Sequence, residues 1–191
     1  MLEADDLEIV EFAKSVIAWK EHPMERTDAE VVTLFERIIT SLASRASPVR
    51  QMIEFRISVR TITAALRRRQ LGHPAPKPGE PWGVGSWMRQ IERHWDEPDF
   101  KLKAAFPWIP QVRQFLVDCE PLALQRLLLS VTWERMELLT RGSIFGFEVV
   151  LAYLFKWDIL QRWLSYNRKE AQTRFDTLVT EVIGEHDQFF N

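Results

Sequence analysis

Arginine side chains cluster in one part of this sequence and could act there as binding groups. Six arginines fall between residues 50 and 69, in a segment whose apolar residues recur at helical spacing. A guanidinium group binds phosphates and carboxylates through several N–H donors held in a planar fork. The cluster is therefore compatible with an anion site, with a nucleic-acid contact or with a set of structural ion pairs.

The spacing of these arginines favours ion pairs. On a helical wheel, Arg56, Arg60 and Arg67 form a narrow stripe between two apolar stripes, whereas a nucleic-acid helix usually presents a broad basic face. The formal net charge of −2 also opposes nonspecific phosphate binding. Because an unpaired buried charge is costly, we expect carboxylates of later helices, Glu134 or Glu148, to pair with the stripe. An anionic ligand or nucleic acid bound by the three arginines is the alternative interpretation.

The elements that must position these side chains are predicted to be helices. Apolar residues recur at helical spacing along nearly the whole chain, and no stretch alternates with a period of two beside hairpin turns. The sequence therefore predicts an all-α helical bundle of about seven to eight helices. Thr27 and Ser47 are predicted N-caps, with Pro48 at the first helical position after Ser47. The arginine-rich helix is predicted to end at Gly72.

A proline-rich segment divides the chain. Residues 72–83 contain four prolines, which disfavour both helix and central strand. We interpret this segment as a linker between an N-terminal helical lobe, residues 1–71, and a C-terminal helical lobe, residues 84–191.

One predicted helix, over residues 144–165, is apolar on nearly all sides. A helix without a polar face is typical of the middle of a bundle or of a surface under a partner. The pattern predicts that this helix is the most buried element, with Val150, Leu154 and Leu160 inside the protein.

Aromatic residues are the candidates for contacts with another protein. The chain has eight tryptophans and twelve phenylalanines, and large aromatic side chains dominate interface energetics. The tryptophans flanking the proline-rich segment and following it are interface candidates, with burial between the lobes as the other interpretation: Trp82, Trp87, Trp95 and Trp108.

Motifs of catalysis and of cofactor binding are absent from the sequence. It has no glycine-rich phosphate loop, no nucleophile elbow and no paired histidines at metal-binding spacing. His94, Asp96 and Asp99 could in principle hold a metal, but their spacing is equally typical of a polar loop. We therefore expect no catalytic residue, no cofactor and no metal site.

Location follows from composition. The N-terminal residues are acidic and lack the basic region of a secretory signal, and no run of about 18 apolar residues predicts a transmembrane segment. The single cysteine, Cys119, fits a reducing compartment. We expect a cytoplasmic protein.

Two segments resemble a known family. The segment RTITAALRRRQLGHP resembles the repeated helix of the C subunit of the bacterial and archaeal V/A-type rotary ATPases, through Arg60, Thr61, Ile62, Ala65 and Gly72. The segment FGFEVVLAYLFKWDILQRWL resembles the last helix of the same protein. This second match rests on Phe147, Leu151, Ala152, Tyr153 and Leu154. The order of the two segments is similar to that of an uncharacterised bacterial family of C-subunit-like proteins associated with V-type ATP synthases.

The resemblance implies a function that involves no catalysis. It implies a non-catalytic helical adaptor, either a coupling component or an assembly factor of a V-type ATP synthase. The implied partners are central-stalk and membrane-ring subunits, which would place the protein peripherally at the inner membrane. We expect no nucleic-acid partner.

Overall fold

The structure is a computed structural model that describes residues 28–41, 48–77, 79–144, 146–161 and 163–164. Within these ranges the only regular secondary structure is helix, which confirms the prediction of an all-α protein. The predicted caps Thr27 and Ser47 lie outside the described residues. The total of seven to eight helices and the division into two lobes at residues 72–83 stay predictions.

The helices are joined by connections of very different length, the longest being residues 71–87 and 94–108. The described helices are α1 (Asp28–Ser41), α2 (Pro48–Gln70), α3 (Met88–Arg93), α4 (Ile109–Val117) and α5 (Pro121–Thr140). Residues 147–161 are also helical and are called α6. By its internal contacts the chain divides into two compact units, Met1–Phe155 and Lys156–Asn191.

Local chemistry explains both ends of α2. Pro48 occupies its first position, where a missing N–H group costs no helical hydrogen bond. At the other end, the N–H of Gly72 donates to the carbonyl of Arg69, and the N–H of His73 donates to that of Arg68. These two bonds form a Schellman motif, and the φ of +77° at Gly72 is a left-handed conformation that favours glycine. The predicted end of this helix is thereby confirmed.

The central element of the first unit is α2, which contacts α1, α3, α4 and α5. Its N-terminal half contributes Met52, Ile53 and Ile57 to one core cluster, together with Met136 of α5 and Leu151, Ala152 and Phe155 of α6. Its C-terminal half contributes to a second cluster that holds most of the aromatic side chains. That half supplies Val59, Ile62, Ala65 and Leu66.

The prediction that residues 144–165 form the most buried element is wrong. Within α6, Leu151 and Phe155 are buried, but Val150 is 42% exposed and Leu160 is 39% exposed. The apolar residues therefore cover two sides of this helix, and only one of those sides is buried. The arginine-rich α2 is the helix that runs through both core clusters.

Thr61 fixes the end of the proline-rich segment against α2. Its hydroxyl donates a hydrogen bond to the carbonyl of Val84 at 2.8 Å and accepts one from the N–H of Val84 at 3.3 Å. Gly83 lies so close that a Cβ there would approach Cγ2 of Thr61 to 2.8 Å. Residues 82–84 are buried, and both core clusters combine residues from before and after this segment.

Candidate functional site

The three arginines of the predicted stripe differ in exposure. Arg56 and Arg60 are half-buried, whereas Arg67 is exposed. Burial and the neighbouring charge of Arg56 lower the pKa of Arg60 to about 9. Arg60 thus remains protonated at neutral pH, but the fold disfavours its charge.

The two predicted carboxylate partners lie in different surroundings. Glu134 of α5 is exposed. Glu148 folds its side chain back over Gly146, where an added Cβ would lie 2.6 Å from the carboxylate carbon. A pairing of Glu134 or Glu148 with Arg56 or Arg60 stays a prediction.

Arg50 and Arg68 make ion pairs that sequence analysis did not single out. Nε of Arg50 lies 2.8 Å from Oε1 of Glu54, one turn further along α2. Nη2 of Arg68 lies 2.6 Å from Oε1 of Glu80, and the backbone N–H of Lys77 donates to Oε2 of the same carboxylate. The hydrogen bonds from Lys77 and Arg68 lower the pKa of Glu80. The second pair anchors the proline-rich segment to the end of α2.

Arg69 contacts three main-chain carbonyls of the segment that follows α3. Its guanidinium donates hydrogen bonds to the main-chain carbonyls of Trp95, Glu97 and Pro98, at 3.2 Å for Trp95 and 2.6 Å for Pro98. Burial lowers the pKa of Arg69, and repulsion from Arg113 adds to the effect. Because its acceptors are main-chain atoms, which every residue carries, no side-chain pattern in the sequence pointed to this role.

The four tryptophans proposed as interface residues pack together instead. Trp82, Trp95 and Trp108 are buried, and Trp87 is half-buried against them. Ring centroids of Trp82 and Trp95 lie 6.4 Å apart, and the indole N–H of Trp82 donates to Glu92 at 3.0 Å. In this fold Trp82, Trp95 and Trp108 are core residues, which leaves them unavailable to a partner at the surface.

A group of exposed apolar side chains lies in the second unit. Trp157, Leu160, Trp163 and Leu164 are 51%, 39%, 41% and 62% exposed. We call these four residues the 157–164 surface. Positions 157, 160 and 164 are spaced by three and four residues, the spacing of side chains on one side of a helix. The apolar pattern of residues 144–165 was compatible with burial or with a surface under a partner, and the prediction of burial left these exposed side chains unnoticed.

Metal sites and membrane-spanning helices were also sought in the part of the chain that the structure describes. Within it, no group of three or more His, Cys, Asp or Glu side chains is arranged to hold a metal ion, including the loop with His94, Asp96 and Asp99. None of the described helices is both long enough and apolar enough to cross a membrane.

Comparison with known proteins identifies a family. A family model described as "Protein of unknown function (DUF2764)" matches residues 43–185, which is more than half of the 191 residues. No curated protein and no solved structure matches the chain.

Proposed function

We propose that this chain, which belongs to the DUF2764 family, is a non-catalytic helical adaptor of a V-type ATP synthase. In this role it is a C-subunit-like coupling or assembly component that works in the cytoplasm, peripherally at the inner membrane. The single observation that carries the adaptor role is the 157–164 surface.

The chemistry of this surface favours a protein partner. Two indoles and two leucine side chains exposed together on a short stretch form an apolar patch, and such patches typically mark binding sites. Tryptophan is also among the residues that contribute most to binding energy when a partner covers them. Burying the four side chains under a partner would remove this apolar area from water.

The spacing of the same residues favours a helical partner. Intervals of three and four residues between Trp157, Leu160 and Leu164 match the a and d positions of a heptad, the pattern by which two helices pack along a seam. We therefore expect the partner to present a helix with a matching apolar seam. The resemblance of residues 60–72 and 147–154 to the C subunit of rotary ATPases points to the central stalk of the ATP synthase as the source of that helix.

Affinity purification of the full chain from native membranes tests the proposal. Stalk subunits of the ATP synthase should co-purify with the unmodified chain and not with the double variant Trp157→Ser/Leu164→Ser. Leu71→Ser is the matched control, since Leu71 is 75% exposed and lies outside the surface. Absence of every ATP synthase component from the unmodified sample would refute the ATPase assignment, and equal recovery by the double variant would refute the role of the surface.

Gene order offers an independent test of the same partner. If the protein serves the ATP synthase, genes of its family should stand beside those of the ATPase A and B subunits. Separation of these genes in most genomes would contradict the ATPase assignment while leaving an adaptor role for another complex.

A second function is favoured by the arrangement of Arg56 and Arg60. The two half-buried arginines lie one turn apart on α2 and repel each other. A phosphate-like anion between them would relieve that repulsion. Titration with pyrophosphate, comparing the unmodified chain with Arg60→Met, tests this alternative, and equal or absent binding in both samples would exclude it.

A further inference from the structure

The first unit contains a cavity of about 500 Å³ between α1, α2 and residues 84–88. This volume is in the range of sites that bind small molecules. Glu36 and Thr40, one turn apart, line it from α1. None of the described residues makes an ion pair with Glu36.

The wall formed by α2 is polar and carries a regular row of side chains. Arg50, Glu54 and Ser58 are spaced by four residues and therefore face the cavity from successive turns. Arg50 donates to Oε1 of Glu54 at 2.8 Å, and no hydrogen bond from a described residue occupies Oε2. Glu36 and Glu54 supply two carboxylates and Arg50 supplies one guanidinium, so the lining has an excess of one negative charge.

Two of the three hydroxyl groups in the lining, those of Ser58 and Thr40, add acceptors rather than donors, and the third belongs to Ser86. Ser58 donates its proton to the carbonyl of Glu54 at 2.7 Å, and Thr40 donates to the carbonyl of Glu36 at 2.8 Å. Both oxygens therefore face the cavity with lone pairs. A ligand that fits this wall supplies several N–H donors and a positive charge.

Apart from Ser86, the remaining lining is apolar, and part of it is held in place. Ile57, Val84 and Met88 line this side, and the hydrogen bonds between Thr61 and Val84 fix the loop against α2. Gly85, with a φ of +109°, brings bare main chain to the cavity. An aliphatic stem can lie on this wall while its charged head reaches the carboxylates.

We propose that this cavity binds an aliphatic cation, that is, an ammonium or guanidinium group on an apolar stem. The head group lies between Glu36 and Oε2 of Glu54, and the stem contacts Ile57, Val84 and Met88. Two kinds of molecule carry such a cationic group on an apolar stem. One is a free amine, and the other is a lysine or arginine side chain of another protein. The site shares no residue with the 157–164 surface, so failure of either proposal leaves the other intact.

An NMR titration of the ¹⁵N-labelled full chain at low ionic strength tests the site. Hexylammonium should shift the amide signals of the lining residues in a saturable way, whereas hexanol and hexanoate, which share the stem, should bind at least tenfold more weakly. Equal binding of hexanol would show that the carboxylates have no role, and shifts confined to other residues would place the ligand elsewhere. Either result overturns the proposal.

Matched variants test whether the carboxylates of Glu36 and Glu54 bind the cationic head group. Glu36→Gln and Glu54→Gln should each weaken hexylammonium binding at least fivefold, and Glu134→Gln, an exposed residue of α5, should leave it unchanged. The amide spectrum of each variant reports whether the fold is kept, and Glu36→Gln alone decides the outcome if Glu54→Gln disturbs the fold. Unchanged binding by Glu36→Gln overturns the proposal.

Two further ligands distinguish the sources. Spermidine represents a free amine, and N-acetyl-lysine N-methylamide represents a lysine side chain of a protein. Tighter binding of one of them by at least tenfold supports the proposal and identifies its source. Failure of both to bind overturns it.

Discussion

The guanidinium carbon of Arg69 lies 4.6 Å from the centre of the Phe100 ring. Phe100 is fully buried and has a φ of +53°, and Lys101 follows with a φ of +56°. Two consecutive residues with side chains in the left-handed region are unfavourable, so the surrounding contacts must hold this turn. Arg69 does so from α2, through the ring of Phe100 and the carbonyls of Trp95, Glu97 and Pro98.

Replacing Arg69 should destabilise the protein more than replacing its neighbour on the helix. We expect Arg69→Met to lower the free energy of unfolding by about 2–4 kcal/mol, because the carbonyls lose a charged donor and the turn loses its support. Arg67→Met, at an exposed position two residues away, should cost less than about 0.5 kcal/mol. Urea unfolding measures both, and similar values for the two variants would contradict the role of Arg69.

Gly83 and Thr61 should behave as a coupled pair. Gly83→Ala should cost about 1–3 kcal/mol, because the new methyl group would lie 2.8 Å from Cγ2 of Thr61. Thr61→Ser removes Cγ2 and keeps the hydroxyl that bonds Val84. The double variant should therefore be more stable than Gly83→Ala alone, and a double-mutant cycle without coupling would show that this contact is not what excludes a side chain.

The charge of Arg60 should lower stability at neutral pH. The pKa of Arg60 in the fold, about 9, lies well below the ordinary value of an arginine, so between the two values the unfolded chain binds more protons and stability rises with pH. We expect Arg60→Met to stabilise the protein by about 1–4 kcal/mol at pH 7. This advantage should shrink as the pH rises from about 9 toward 11, where folded Arg60 loses its proton.

Thermal and urea unfolding of the unmodified chain and of Arg60→Met, at several pH values, measure that difference. The predicted ion pair with Glu134 or Glu148 requires the opposite sign, since removal of the arginine would then leave a carboxylate unpaired. Destabilisation by Arg60→Met at pH 7 would support the ion pair and contradict the pH dependence given above.

Adjacent residues of α6 should respond differently to a charge. Leu151→Asp should prevent cooperative folding or cost more than about 4 kcal/mol, because Leu151 is fully buried in the first core cluster. Val150→Asp should cost less than about 1 kcal/mol, because its side chain already meets water. Soluble yield and thermal melting compare the two, and equal loss in both variants would mean that Val150 is buried in solution.

The class of the fold could be predicted from the sequence, but the identity of its central helix could not. Helical periodicity and the end of α2 at Gly72 depend on local patterns, which a sequence displays directly. The central position of α2 follows from its apolar residues in both core clusters, and it also requires that its arginines find acceptors. Arg69 uses main-chain carbonyls that come from residues 26 to 29 positions later, and no residue type marks them in advance.

The exposure of the aromatic and apolar side chains could not be predicted from the sequence either. Trp82 and Trp157 are the same residue type, yet one is 7% exposed and the other 51%. Periodicity indicates that a helix has an apolar side, but when two sides are apolar it does not tell which one the rest of the chain covers. The 157–164 surface could therefore be found only once the tertiary packing was known.

The uneven exposure of the tryptophans gives the protein an optical reporter of its own. Indoles that are sealed in the core, such as Trp82 and Trp95, emit at shorter wavelength and are protected from acrylamide, while Trp157 and Trp163 are open to collisional quenching. A partner that docks on the 157–164 surface would remove quenchable fluorescence without a label and without a change in the fold. Binding at this surface can thus be followed by intrinsic emission, in the same cuvette in which the complex is assembled.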